Sequence, residues 1–240
     1  TLLSKILGTL FWIPFQNIAG NGPVGVYRIS FPFYSILLMV ASAGIPITVS
    51  KFVAERLSLN DYVGARRILT AATIILSITG IFLASFLFFG ADFIAHVLLH
   101  NPPTKTSLQV LAIAIAIVPV MAALRGYFQG HQDMMPTGLS QVVEQIVRVG
   151  TVILLIYLFV SWGLSDEYVA AGATAGAAFG ALAGLLVVLW YNRRDKKKHQ
   201  IQLQQQTQSK EPLGRLMKNI LAYAIPISLA TLVLPLISFV

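Results

Sequence analysis

The chain has 240 residues, of which 56% are hydrophobic and only 11% are charged, and its formal net charge is +8 at pH 7. A soluble globular domain has roughly 25% charged residues, so this composition excludes an ordinary soluble domain. The chain has no cysteine, which excludes disulfide and thiol chemistry within it.

Long uncharged runs recur along the chain. Each has about 19–25 residues, enough for one helix to cross the ~30 Å hydrocarbon core of a bilayer. They are residues 6–27, 29–50, 68–91, 106–124, 168–192 and 219–240, and a further run at 134–165 is interrupted by Glu144 and Arg148 alone. The predicted fold class is therefore all-α, a polytopic helical membrane protein with six complete spans and a seventh that stops at Val240.

Neither end of the chain has the features expected of a natural terminus. It begins at Thr1 and ends inside the apolar segment LPLISFV, so we expect the N-terminal part of a longer protein. The first apolar segment is not followed by a small-residue cleavage site, so it does not resemble a removable signal peptide.

The basic residues between the runs fall mainly in alternate loops, after the second, fourth and sixth. They are Lys51, Arg56, Arg66, Arg67, Arg125, Arg193, Arg194, Lys196, Lys197, Lys198, Lys210, Arg215 and Lys218. The other loops carry Arg28 and Lys105. This bias follows the positive-inside rule and predicts a cytoplasmic N-terminus. The charge is thus explained by topology and by contact with anionic membrane lipids, not by nucleic acid.

The first two runs supply candidate cavity residues. Lys5 in the first run lies ~20 Å below the outer end of a span that stops before Gly20, close to the depth of Glu144. The segment GNGPVG (20–25) matches a dinucleotide-binding fingerprint in its letters, but it joins two spans, so we predict a loop. Lys51, like Arg125 farther on, either lines a basic cavity or extends to the membrane interface.

The fifth run carries a polar stripe. It begins near Pro136, a residue suited to the first turn of a helix. Gln141, Glu144, Gln145 and Arg148 then share one helix face, with Glu144 ~12 Å and Arg148 ~18 Å from the cytoplasmic end. Glu144 and Arg148 stand in the favourable order for a helical ion pair. The stripe is either a structural salt pair or the wall of a wet cavity in which Arg148 meets an anionic substrate, and intramembrane charges favour the second.

The sixth run and the segment after it predict packing and domain organisation. Small residues recur every four positions, at Gly172, Gly176, Gly180 and Gly184. They form a groove for close helix packing, with static contact favoured over sliding. The Lys- and Gln-rich stretch after it predicts a cytoplasmic linker. The expected organisation is an N-terminal lobe at 1–192, a basic linker at 193–215 and the start of a second lobe at 216–240.

The motifs of enzymes are missing from the sequence. His96 and His100 stand four residues apart without a nearby third ligand, so we predict surface histidines and no metal site. No phosphate-binding loop, hydrolytic arrangement or Asp-rich site of a polyprenyl-phosphate transferase occurs. We therefore predict a protein that has no cofactor and is not an enzyme. A cavity with several cations suits phosphate-bearing cargo, because Lys and Arg form charge-assisted hydrogen bonds with phosphate oxygens.

Three segments carry a resemblance to a known family: SKILGTLFWIPF (4–15), SAGIPITVSKFVAE (42–55) and LRGYFQGHQDMMPTGLSQVVEQIVRV (124–149). Together they resemble the MurJ-type lipid II flippases, in the branch that includes the stage V sporulation protein B group, within the multidrug and polysaccharide-lipid (MOP) exporter superfamily. The resemblance implies the N-terminal lobe of a two-lobe MOP/MATE-like transporter in the bacterial plasma membrane. Its implied cargo is the undecaprenyl-pyrophosphate-linked peptidoglycan precursor, flipped to the outer leaflet by alternating access and driven by the membrane potential or a coupling ion.

The resemblance transfers to particular residues only in part. Ser4 and Lys5 hold the place of a Ser-Arg pair, whereas Phe11 stands where many members have a second arginine, and Ser42 where some have an acidic residue. The alternatives are a flippase for another undecaprenyl-linked polysaccharide unit and, less favoured, a MATE-type multidrug antiporter. The candidate substrate-binding residues are Ser4, Lys5, Lys51, Arg125, Gln141, Glu144, Gln145 and Arg148.

Overall fold

The computed structural model describes residues 12–42, 44–199 and 212–237, and the regular elements of these residues are all helices. The helices are α1 (Trp12–Ala19), α2 (Asn21–Ser42), α3 (Ile45–Ser58), α4 (Tyr62–Phe93), α5 (Thr104–Gly130), α6 (Met135–Ser161), α7 (Asp166–Lys198) and α8 (Leu213–Ile237), and a π-helical turn, Ile94–Leu98, follows α4. Within the described residues, five segments are long and apolar enough to span a membrane. The predicted fold class, an all-α polytopic membrane protein, is confirmed.

Local signals explain several helix starts. The Asp61 side chain caps α4, since its Oδ1 accepts a hydrogen bond from the backbone N of Gly64 at 2.7 Å. Pro136 stands in the first turn of α6, as predicted. Asp166 and Glu167 open α7, where their negative charges face the positive end of the helix dipole.

The segment GNGPVG is not the loop that the sequence predicted. Gly20 alone separates α1 from α2, and its φ of +74° is a conformation that glycine adopts without strain. Asn21 already begins α2, with Pro23 in the first turn. A proline is tolerated there because its missing N–H would have no helical partner, so two antiparallel helices meet almost without a connection.

The second predicted span, 29–50, is divided between two helices. The break lies at Gly44, which has a φ of +75° and stands between α2 and α3. A Cβ at this glycine would lie 2.5 Å from the backbone oxygen of Ala224 in α8. Both the backbone conformation and the close approach of α8 therefore require glycine. The predicted second span, 29–50, thus lies within a longer apolar segment, Asn21–Ser58, which Gly44 divides into two helices.

Helix α5 lies at the centre of the packing and contacts α2, α3, α4 and α7. Its buried side chains include Leu108, Leu111 and Ile115. Two of its glycines allow α3 to approach closely, because a Cβ at Gly126 would lie 2.6 Å from the backbone oxygen of Pro46. The same atom at Gly130 would lie 2.7 Å from the backbone oxygen of Ser50.

The predicted linker has helical ends. Helix α7 continues to Lys198, and α8 begins at Leu213, whereas residues 200–211 lie outside the described part of the chain. Leu216, Ile220 and Ala224 of α8 are buried in the core cluster that α3, α4 and α5 form. The division of the chain into lobes stays a prediction.

Candidate functional site

A carboxylate shared by two arginines lies inside the bundle. Glu144 Oε2 accepts from Arg125 Nη2 at 2.8 Å, and Glu144 Oε1 accepts from Arg148 Nη2 at the same distance. The side chains of Arg125 and Glu144 are each 14% exposed and that of Arg148 is 25% exposed. We call these three residues the charged triad. It carries one more positive than negative charge, which confirms the predicted ion pair within α6 and adds a second arginine from α5.

The antiparallel pairing of α5 and α6 positions Arg125. Its Nε donates to Ser140 Oγ at 2.9 Å, and that hydroxyl donates in turn to the backbone oxygen of Thr137 at 2.8 Å. Arg125 precedes the end of α5 by as many residues as separate Ser140 from the start of α6, so both lie ~7.5 Å from the connecting turn. Arg125 therefore faces α6, where Ser140 and Glu144 hold its guanidinium group.

The glycine row of α7 packs against the backbone of the charged residues. A Cβ at Gly176 would lie 2.8 Å from the backbone oxygen of Arg148, and one at Gly180 would lie 2.8 Å from that of Glu144. At Gly184 the added atom would lie 3.2 Å from the Cβ of Glu144. The predicted close approach is thus confirmed, and it fixes the depth and rotation of the triad's helix.

Some polar atoms around the triad lack partners. Arg148 Nε, Gln141 Oε1 and Thr137 Oγ1 are buried and form no hydrogen bond with any described residue. Arg148 also borders a small cavity between α2, α6 and α7, beside Tyr27 and Ala173. Buried polar atoms are almost always hydrogen-bonded, so these atoms are suited to receive water or the polar part of a ligand.

The other predicted site residues are distributed differently. Gln145 is half-buried on α6, next to the triad in sequence. Lys51 is exposed on α3, and its ammonium group lies 4.5 Å from the ring centre of Tyr223 in α8, away from the triad's contacts. Ser4 and Lys5, together with Phe11, lie outside the described residues.

A second polar network at one end of the bundle was missed by the sequence analysis, which treated Arg66 as a topology signal alone. Arg66 Nη2 contacts Asp195 Oδ2 at 2.7 Å, and Tyr127 Oη donates to the same oxygen at 3.0 Å. Arg66 Nη1 also donates to Asn192 Oδ1 at 2.7 Å. The network joins α4, α5 and α7. The isolated acid in the basic run RRDKKK was the one available signal, because a lone Asp among bases usually pairs with one.

The chain superposes on about half of each of several solved structures. The structure of MATE in complex with MaD3S superposes with a TM-score of 0.71 at 18% identity, over 99% of this chain and 52% of that one. A MOP superfamily transporter from Pyrococcus furiosus, described as having a binding pocket of reverse polarity, superposes with a TM-score of 0.67 at 19% identity, over the same shares. The chain therefore has the fold of about half of each of these proteins.

The sequence comparisons then define the family. The family described as "Polysaccharide biosynthesis protein" matches residues 1–240, and the chain belongs to it. The uncharacterized membrane protein YabM of Bacillus subtilis is 32% identical over all of this chain and 44% of its own length. Lipid II flippase MurJ of the same organism is 33% identical over 81% of this chain and 38% of its own length. Stage V sporulation protein B, also from B. subtilis, is 34% identical over 77% of this chain and 35% of its own length. The chain thus spans less than half the length of these relatives.

Proposed function

We propose that the chain is the first lobe of a flippase for an undecaprenyl-pyrophosphate-linked saccharide, with the peptidoglycan precursor lipid II as the first candidate cargo. The charged triad is the observation that carries the proposal. An excess positive charge inside a membrane bundle is costly unless an anion uses it, and a pyrophosphate supplies several acceptor oxygens for guanidinium groups. The similarity to a named lipid II flippase supports the same cargo.

In this proposal Glu144 pairs with both arginines of the charged triad when no cargo is bound. Each of its oxygens holds one guanidinium group, as a phosphate oxygen would. An entering pyrophosphate competes with this carboxylate for Arg148, whose second nitrogen, Nε, is buried without a described partner. The exchange replaces one anion by another, so the guanidinium group of Arg148 keeps an anionic partner throughout.

A second cargo class has its own support. The family that matches the whole chain is described by polysaccharide biosynthesis rather than by peptidoglycan, which favours another undecaprenyl-linked repeat unit as the alternative. Both cargoes share the pyrophosphate and differ in the glycan. A MATE-type multidrug antiporter is less favoured, because the excess cation of the triad repels a cationic drug.

The proposal includes a topology in the bacterial plasma membrane. The turn between α5 and α6, the end of α7 and the start of α8 face the cytoplasm, because the basic residues gather there. The membrane potential or a coupling ion drives the cycle. The cargo then reaches the charged triad from the cytoplasmic leaflet.

Depletion of the full-length protein in its own cell tests the cargo. Lipid-linked precursors are quantified by mass spectrometry, with inner- and outer-leaflet pools separated. We expect inner-leaflet lipid II to accumulate, and expect the accumulation to be relieved by a wild-type copy or by an Arg28→Ala copy but not by Arg148→Ala. Arg28 is the matched control because it is an exposed arginine outside the triad. A rise in a different undecaprenyl-linked glycan would move the assignment to the alternative, and unchanged pools of all such lipids would refute the flippase.

A further inference from the structure

A cavity separate from the charged triad opens at the end of the bundle where α3 and α5 end, α4 begins and α7 reaches its last turns. Its volume is about 640 Å³, within the range of small-molecule sites and large enough for two or three sugar rings. Its lining combines aromatic residues of three helices, Tyr62, Phe128 and Tyr191, with two histidines, His131 and His199. We call it the end cavity.

The charge of one wall is already compensated. Asp195 lines the end cavity, but its Oδ2 is held by Arg66 at 2.7 Å and by the Tyr127 hydroxyl at 3.0 Å. The other oxygen, Oδ1, lies 3.1 Å from His199 Nδ1, so both oxygens of this carboxylate already have partners. In the described part of the chain, no group of three or more His, Cys, Asp or Glu could hold a metal ion.

The two histidines present defined polar atoms. His131 Nδ1 lies 3.0 Å from the backbone oxygen of Tyr127, and His199 Nδ1 lies 3.2 Å from that of Asp195. A carbonyl oxygen can only accept, so Nδ1 carries the hydrogen in both rings. The Nε2 atom of each ring is then left for a ligand, and the two ring centres are 6.5 Å apart. Hydroxyl groups of a ligand can hydrogen-bond with such a pair, because a hydroxyl both donates and accepts.

Aromatic faces complete the lining. The ring of Tyr62 stacks on that of His199 with centres 5.1 Å apart, and Phe128 meets Tyr191 edge to face at 6.3 Å. The apolar C–H faces of sugar rings pack on aromatic rings, while their hydroxyls need both donors and acceptors. Arg194 also lines the end cavity as a donor, and its guanidinium group lies 4.3 Å from the ring centre of Trp190.

We propose that the end cavity is a carbohydrate-binding site that takes the glycan of the lipid-linked cargo, so this inference rests on the proposed function. Polar side chains beside aromatic faces fit the hydroxyls and C–H faces of a saccharide, and the carboxylate of Asp133, which also lines the end cavity, disfavours an anion. The end cavity lies at the predicted cytoplasmic end, where cargo is loaded. Glycan recognition is thereby separated from pyrophosphate recognition along the bundle.

The test measures binding of a soluble saccharide to purified full-length protein in lipid nanodiscs. The probe is the methyl glycoside of N,N′-diacetylchitobiose, observed by saturation-transfer NMR. We expect saturable binding, weakened roughly tenfold or more by Tyr62→Ala and by His131→Ala. His96→Ala is the matched control. The ring of His96 also contacts the backbone oxygen of the residue four positions earlier, Asp92, but His96 is exposed in the π-helical turn that follows α4, far from the end cavity at the start of α4. Tyr62→Phe, which keeps the aromatic ring, checks that loss of binding does not reflect misfolding.

The outcomes separate this inference from the proposed function. Absence of saccharide binding to the wild-type protein, or equal binding by Tyr62→Ala, His131→Ala and the control, would overturn the inference even where Arg148-dependent flipping is intact. Displacement of the saccharide by inorganic pyrophosphate would overturn it as well, because the cavity would then be an anion site. Saccharide binding that Tyr62→Ala and His131→Ala weaken, together with a wild-type protein that flips no undecaprenyl-linked lipid, would support a carbohydrate site and reject the flippase.

Discussion

Glu144 has two cationic partners, and this makes the members of the charged triad unequal. Without Arg148, the carboxylate still forms a neutral pair with Arg125, whose Nε is also held by Ser140. Without Glu144, two guanidinium groups face each other with no described counter-charge. The energetic cost of a substitution therefore depends on which charge is removed.

We predict that Glu144→Gln lowers the free energy of unfolding by roughly 2–4 kcal/mol and that Arg148→Gln lowers it by less than half of this amount. Chemical unfolding of the full-length protein in detergent measures both values. Glu55→Gln is the control, since Glu55 is exposed on α3. An equal or larger effect of Arg148→Gln would mean that Glu144 is not the shared partner.

Part of the candidate site could be predicted from the sequence. The stripe from Gln141 to Arg148 was visible because helical spacing places its members on one face and because charges inside a membrane helix are conspicuous. The role of Arg125 stayed open, because one sequence does not say toward which neighbour a residue near a helix end points. The pairing of α5 with α6 across a short turn decides it.

At the scale of helices, glycine determines where backbones meet. Gly180 leaves room for the backbone oxygen of Glu144, whereas a Cβ at Gly150 of α6 would have no atom within 4 Å. We predict that Gly180→Ala lowers the unfolding free energy by roughly 1–3 kcal/mol, as overpacking does. Gly150→Ala raises it by up to ~1 kcal/mol because alanine favours a helix. Unfolding curves of the two variants check this, and a tolerated Gly180→Ala would show that α7 does not position the triad.

Two features of Gly44 contribute to the break between α2 and α3, and substitutions can separate them. Gly44 has both a left-handed conformation and a close contact with α8, whereas Gly163 has a φ of +68° and no atom within 4 Å of an added Cβ. We predict that Gly163→Ala costs about 1 kcal/mol and Gly44→Ala at least ~2 kcal/mol. Thermal unfolding of both variants provides the comparison, and equal costs would show that α8 adds nothing at this position. An uncharged run of residues does not reveal this break, because the break depends on the conformation of Gly44 and on its contact with α8.

At the scale of the whole molecule, the charge distribution predicts orientation. The turn between α5 and α6 lies at the basic end of the bundle. The segment 161–168, which leads into α7, has acidic residues and no base. In a cysteine-free full-length protein, a membrane-impermeant maleimide added to intact cells should label Ser165→Cys but not Gln132→Cys. Both positions are exposed, so accessibility alone does not distinguish them. The opposite pattern would invert the topology, and labelling of both would indicate leakage or mixed insertion.

The all-helical fold and its membrane character followed from uncharged runs of sufficient length, because hydrocarbon imposes few other solutions. The end cavity did not follow, because its lining comes from residues as distant in sequence as Tyr62 and His199. Such sites are formed by long-range packing, which the local pattern of one sequence does not encode.

The central claim, that the charged triad binds the pyrophosphate of the cargo during transport, is tested most directly in vesicles that contain the purified full-length protein. The measurement is the flipping rate of fluorescent lipid II, with wild-type protein compared with Arg125→Gln, Arg148→Gln and the control Arg28→Gln. We predict that each triad variant is roughly tenfold slower or more, because a charge-assisted hydrogen bond to the cargo contributes about 1.5–3 kcal/mol, and that the control keeps the wild-type rate. Wild-type rates in folded Arg125→Gln and Arg148→Gln proteins would contradict the claim and leave the triad as a structural ion pair.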